Sequence, residues 1–167
     1  MLTDDIKTYI DKSVLCWLAT VDGDNQPNVS PKEIFTYDGD TSILIAHVAS
    51  HGSLANIKKQ PKVCVSFVDV FVQKGYKVKG TASILKKNDP SFLEKAQLLK
   101  DRFTNRFPIS AVIKIAVTNV NPIQAPSYLF FPDITTESDQ VESAMKTYGV
   151  RKIWATLEEK KDINPTR

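Results

Sequence analysis

Short apolar runs separated by Asp-Gly turns limit this chain more than any other feature. Residues 14–21 are almost all apolar, which predicts a strand buried on both faces. Asp22-Gly23-Asp24-Asn25 then predicts a turn, with Gly23 free to take positive φ. A second strand is expected over residues 28–37, a turn at Asp38-Gly39-Asp40, and a third strand over 42–48. Asp-Gly between apolar runs is a hairpin signal. Further strands are expected over 62–71, 76–85 and 111–120, the last broken by Asn121-Pro122, and a short one over 127–131. In the fifth strand Lys77 and Lys79 should share one face, and Tyr76, Val78 and Gly80 the other. The sum is a mainly β fold of six or seven mostly antiparallel strands. A closed or nearly closed β-barrel follows, because closure hides sheet edges.

Short helices should sit at the corners. Thr3 or Asp4 can cap a first helix carrying Ile6, Tyr9 and Ile10. Residues 53–59 read as a second, stopped by Pro61. Asp89 or Ser91 can cap a third that runs to about Arg106, with Phe92, Leu99 and Phe103 near one face. A last helix over 137–148 carries Val141, Met145 and Tyr148 and stops at Gly149.

At 167 residues the chain suits one domain and can bury a sizeable core without a disulfide or metal staple. The two cysteines, Cys16 and Cys64, lie inside apolar runs and read as buried free thiols, which fits a reducing compartment. No apolar run approaches the length of a membrane span, so the cytoplasm is the expected location. A net charge of +3 with mixed signs argues against nucleic acid but tolerates an anionic ligand. His47 and His51 are four apart but flank a strand end, with no carboxylate or cysteine near in sequence, so no metal site is expected.

The informative stretch is strand, small polar loop, helix: residues 43–47, then Ser50-His51-Gly52-Ser53, then 54–59. A helix start offers unpaired N–H groups and partial positive charge, Ser50 and Ser53 add hydroxyls, and Gly52 admits close approach. Such a start can seat a phosphate; the plainer alternative is that the serines only cap the helix. Upstream, Ser30-Pro31-Lys32 lies on the second strand, where Pro31 cannot donate to a ladder. That strand either turns free backbone groups to a ligand edge or simply carries a bulge at Pro31.

The order Ala19-Thr20, Gly23, Pro27, Ser30, Lys32, then Asn56-Ile57-Lys58-Lys59-Gln60-Pro61-Lys62-Val63, then Gly80-Thr81-Ala82 resembles the FMN-binding split β-barrel family that includes pyridoxamine 5′-phosphate oxidase. The resemblance covers residues 14–85 best and implies a homodimer with FMN in a cleft between subunits. Ser30, Pro31 and Lys32 would lie along the isoalloxazine. Ser50, Ser53 and Asn56 would hold the phosphate. The partner would contribute Gln73, Lys74 and Tyr76. Ser53 stands where family members often carry a lysine, so the seat would rely on neutral donors and the helix end. No Arg-and-His set resembles the substrate-phosphate site of the oxidase itself. The resemblance thus implies an FMN-dependent oxidoreductase acting on a small molecule, or alternatively a non-catalytic flavin or haem binding module. Residues 1–150 would form the FMN-binding domain. Residues 151–167, with Ile153, Trp154 and Leu157, would be an extension packing on the partner subunit.

Overall fold

The computed structural model describes residues 1–48, 51–103 and 106–151. Helix α1 (Asp4–Lys12) is capped by Thr3, whose hydroxyl accepts from the Ile6 N–H, and Asp4 and Asp5 complement the helix dipole. There follow β1 (Cys16–Val21), β2 (Pro27–Lys32), β3 (Phe35–Asp38), β4 (Ser42–His47) and α2 (His51–Lys59). Next come β5 (Lys62–Asp69), β6 (Lys74–Lys86), α3 (Phe92–Arg102) and β7 (Ala111–Gln124), then α4 (Pro126–Phe130) and α5 (Glu137–Tyr148). The strands form one antiparallel sheet in the order β2-β1-β5-β6-β7-β4-β3.

β2 and β3 stand at opposite ends of that order, yet only Glu33 and Ile34 separate them in sequence. Three Cα steps of about 3.8 Å each cannot cross an open seven-stranded sheet, so the sheet curls until its edges meet. The result is a barrel split along the β2–β3 seam. The single strand expected over 28–37 is therefore two. The bend at Glu33-Ile34 lets β2 pair with β1 and β3 with β4, and the Ile34 carbonyl accepts from the Ala46 N–H at 2.9 Å.

The barrel interior holds Leu18, Phe35, Ile43, Ile45, Val65, Phe67, Val78, Ile113 and Ile115. Ile6 and Ile10 from α1 and Ile57 from α2 join them. Helix α3 covers the outer side of β4 and β7, where Leu44, Ala46 and Val112 meet Phe92, Ala96 and Leu99. β4 is thus the strand buried on both faces. β1, expected in that role, alternates instead: Cys16, Leu18 and Thr20 point inward while Trp17 is 46% exposed. An apolar run marks burial on two faces only where a helix lies outside, and among the described residues no helix covers the Trp17 side of β1.

Other departures have local causes. Positive φ in the first turn falls on Asn25 (62°) rather than Gly23, because Asp22 accepts from the Asp24 and Gln26 N–H groups and sets the turn. The hairpin between β5 and β6 is tighter than expected, with Gln73 at φ 56°. Pro122 does not break β7; it sits opposite Tyr76, and pairing continues to Gln124 opposite Lys74. A proline is tolerated there because β7 runs past the end of β4 and has one neighbour at that point. The expected strand over 127–131 is helix α4, with Pro126 at its first turn. α2 begins two residues before its expected start, at His51. α3 ends at Arg102, short of Arg106, and Ser91 makes no side-chain capping bond. Cys16 is buried, whereas Cys64 is only half-buried on the outer side of β5. α5 ends at Gly149 with φ 66°, as its sequence implies. Residues 152–167, including Trp154, lie outside the described residues. No helix among the described residues is long and apolar enough to cross a membrane.

Candidate functional site

β2 is an edge strand, bonded only to β1, with Ser30 opposite Leu18, Pro31 opposite Trp17 and Lys32 opposite Cys16. Pro31 is tolerated because the edge asks for no second ladder. Lys32 is only 7% exposed. Burial pushes its ammonium below the ordinary lysine value, and the Cys16 thiol beside it, itself pushed up by burial, stays protonated.

Lys32 and Pro31 line a cavity of about 390 Å³. Its other walls are Leu15, Ile34, Ala46, Val48 and Phe107, all apolar, and the carboxylate-bearing Glu33. Ala46 lies near the end of β4 and Val48 just beyond it, where the chain continues toward α2. The cavity therefore lies between the β2–β3 bend and the end of β4. Such a space, largely apolar with buried Lys32 and exposed Glu33 in its wall, suits a flat conjugated ligand with Lys32 as the cation available to it.

Ser53 is the third residue of α2 and 2% exposed, and its Oγ has no hydrogen-bond partner among the described residues. Buried hydroxyls are nearly always paired. An acceptor arriving at the helix start would satisfy both Ser53 and the unpaired N–H groups of the first turn. Asn56 has a different task. Its amide donates to the Thr20 hydroxyl at 3.0 Å and ties α2 to β1. Ser50 lies outside the described residues.

Gln73 and Lys74 are at the tip of the β5–β6 hairpin and line neither this cavity nor the larger one beside β5. Gln73 accepts from the Ala125 N–H at 3.0 Å. Lys74 is paired with Glu137 at 2.8 Å, which raises its pKa, and lies 4.3 Å from the Tyr128 ring centre. The Tyr76 ring packs edge-on to Tyr9 at 5.6 Å, and its hydroxyl donates to the Asp5 carboxylate. That bond and burial push the Tyr76 phenol up to about 12. One copy of the chain thus brings Pro31 and Lys32 together with the β4 end, and leaves Gln73 and Lys74 on a distant tip.

Leu15, Val48 and Phe107 are cavity residues that sequence reasoning missed. Phe107 follows α3 in an irregular segment, where no periodicity marks a role. Among the described residues no group of three metal-ligating side chains occurs. His47 is a buried strand-end residue whose carbonyl accepts from Ser110.

The family model for pyridoxamine 5′-phosphate oxidase matches residues 2–124. The chain belongs to that family. Among solved structures it is similar to HupZ of Group A Streptococcus, at 28% identity and a TM-score of 0.65 over 75% of this chain and 96% of that one. An FMN-binding protein from Syntrophomonas wolfei shares the fold, at 18% identity and a TM-score of 0.63 over 74% of this chain and 87% of that one. So does the haem storage protein HutZ from Vibrio cholerae, at 15% identity and a TM-score of 0.61 over 73% of this chain and 94% of that one. No curated protein matches the chain. The split barrel expected from the sequence is the fold of this family, with seven strands.

Proposed function

We propose that two copies of this chain bind FMN between them and use it in oxidoreduction of a small molecule. Ser30, Pro31 and Lys32 flank the ring. The first turn of α2, with Ser50 and Ser53, takes the phosphate, and Asn56 holds that helix in place through Thr20. Gln73 and Lys74 come from the second copy. The observation that carries this reading is the buried Ser53 hydroxyl in the first turn of α2, which has no hydrogen-bond partner among the described residues. Membership of the pyridoxamine 5′-phosphate oxidase family supports it. When bound, FMN supplies the electron-transfer chemistry; the protein binds it, orients it and excludes water. The chain's own residues bring cationic and hydrogen-bonding groups, and none is assigned a proton-transfer role.

Titration of the purified protein with FMN, followed by quenching of flavin fluorescence, tests the reading directly. Saturable binding with one FMN per chain is expected, and reduction of the bound flavin by NADH or NADPH should follow. Absence of quenching at high micromolar protein would overturn it. Ser53→Ala separates ligand seat from structural role. It removes an unsatisfied buried hydroxyl, so stability should hold or rise by about 1 kcal/mol, while FMN affinity falls roughly tenfold. A stability loss of ~1–2 kcal/mol with unchanged affinity would make Ser53 a capping residue only.

A second reading, a flavin or haem carrier without turnover, is favoured by one observation. The amide of Asn56 and the ammonium of Lys74 are already engaged within the chain, which leaves few groups to act on a substrate. Bound flavin that is neither reduced by a nicotinamide donor nor reoxidised by an acceptor would select it.

A further inference from the structure

Residues 125–151 lie beyond the family match and form an arm attached to the β5–β6 hairpin tip. The Tyr128 hydroxyl donates to the Val72 carbonyl at 2.8 Å, Lys74 bridges to Glu137, and Phe71 meets Tyr148 edge-on with ring centres 6.1 Å apart. Much of the arm's apolar surface beyond these contacts is bare. Leu129, Phe130, Phe131 and Ile134 are 63%, 75%, 58% and 75% exposed. Four large apolar side chains so close in sequence exceed the scattered exposure normal for a monomer. The arm is also acidic, with Asp133, Glu137, Asp139 and Glu142 against Lys146 and Arg151.

The outward side of β2, β1, β5 and β6 has the opposite charge. Pairing aligns Val29, Ala19, Cys64 and Lys79 in one row and Pro31, Trp17, Ser66 and Lys77 in the next. Trp17 is 46% and Val29 58% exposed. Lys62 lies at the same side, and the outward positions of these strands carry no carboxylate. Apolar and basic on the sheet, apolar and acidic on the arm, the two surfaces are complementary, and within one copy both stay exposed.

We propose that the arm of one copy packs on this sheet face of a second copy. The exchange is made twice about a twofold axis, because each copy carries both surfaces. Apolar contact supplies the adhesion, and the carboxylates of the arm against Lys77 and Lys79 set the pairing. The proposal rests on the two-copy reading above. It adds the contact that holds the copies together and places an element from outside the family barrel at the subunit boundary.

Sedimentation of the full chain at graded concentrations tests it, with FMN quenching measured on the same samples. The wild type should be a dimer. A sheet variant, Lys77→Glu with Lys79→Glu, and an arm variant, Asp133→Lys with Glu142→Lys, should each dimerise at least about tenfold more weakly. All four positions are solvent-exposed, so both variants should keep the wild-type circular dichroism. Mixing the two variants should restore dimers, since each mixed pair then joins an acidic surface to a basic one at both contacts. Phe130→Asp should weaken dimerisation without being rescued. A monomeric wild type would overturn both this proposal and the two-copy reading. A dimeric wild type whose charge variants dimerise equally well, or are not rescued by mixing, would overturn the arm contact alone.

Discussion

Gly75→Ala should cost about 3 kcal/mol of stability, at the upper end of what overpacking usually costs. Gly75 pairs with Val68 on the adjoining strand. A Cβ built there would lie 2.0 Å from the Phe67 carbonyl oxygen and 2.7 Å from the Val68 Cα. Both are backbone atoms, so no side chain can swing away to relieve the clash. The strands must part, and they carry Phe67, Tyr76 and the hairpin tip that anchors the arm. Against a total of roughly 5–15 kcal/mol, such a loss is large. Gly52→Ala is the matched control. Its Cβ would meet nothing within 4 Å, and alanine in a helix should stabilise by up to about 1 kcal/mol. Urea midpoints of the two variants check this. A Gly75→Ala protein within about 0.5 kcal/mol of wild type would show that the strand pair yields more easily than its geometry implies.

Lys32→Met should move stability and binding in opposite directions. The folded-state pKa of Lys32 lies below its ordinary 10.5 because burial disfavours the charge. The folded protein therefore holds that proton less well than the unfolded chain does. Stability of the ligand-free wild type should rise as pH climbs from the lowered value toward 10.5, and the methionine variant should lack that rise. At neutral pH the variant should be at least as stable as wild type, since methionine suits an apolar wall. FMN affinity should fall roughly 10- to 100-fold, the worth of one hydrogen bond to a charged group. Thermal melts across alkaline pH and flavin titrations on the same preparations measure both effects. Equal affinity in the two proteins would remove Lys32 from the site. This exchange of stability for binding is what a functional lysine, rather than a structural one, should show.

The barrel was legible because Asp-Gly turns and alternating apolar residues are local signals. The caps at Thr3 and Gly149 were legible for the same reason. What the sequence could not convey was non-local. The run over 14–21 looks like a two-sided core strand, yet α3 lies outside β4 and β7, and Trp17 of β1 stays 46% exposed. The stretch over 28–37 looks like one strand, because nothing in Glu33-Ile34 announces that its halves belong to opposite sheet edges. Residues 127–131 are aromatic-rich and look β-forming, but Pro126 starts a helix turn there. In the site, Lys32 and Ser53 stood out by type and position, and burial gave each of them weight. Phe107 and Leu15 could not be found, since they meet the cavity through tertiary folding alone.

The two-residue link at Glu33-Ile34 also bears on how the chain is made. β3 and β4 pair early as a neighbouring hairpin, but β4 needs β7 on its other side, with Ser42 opposite Ala116. During synthesis β5, β6 and α3 must emerge before that partner exists. Until then the six residues of β4, all buried in the finished barrel, have one open ladder. Such a long-range pairing slows folding and leaves an apolar strand edge open to other chains. Yield in cells should therefore depend on temperature and on holdase chaperones more than final stability would suggest. Ribosome-bound chains ending before residue 111 should be the most aggregation-prone of any length.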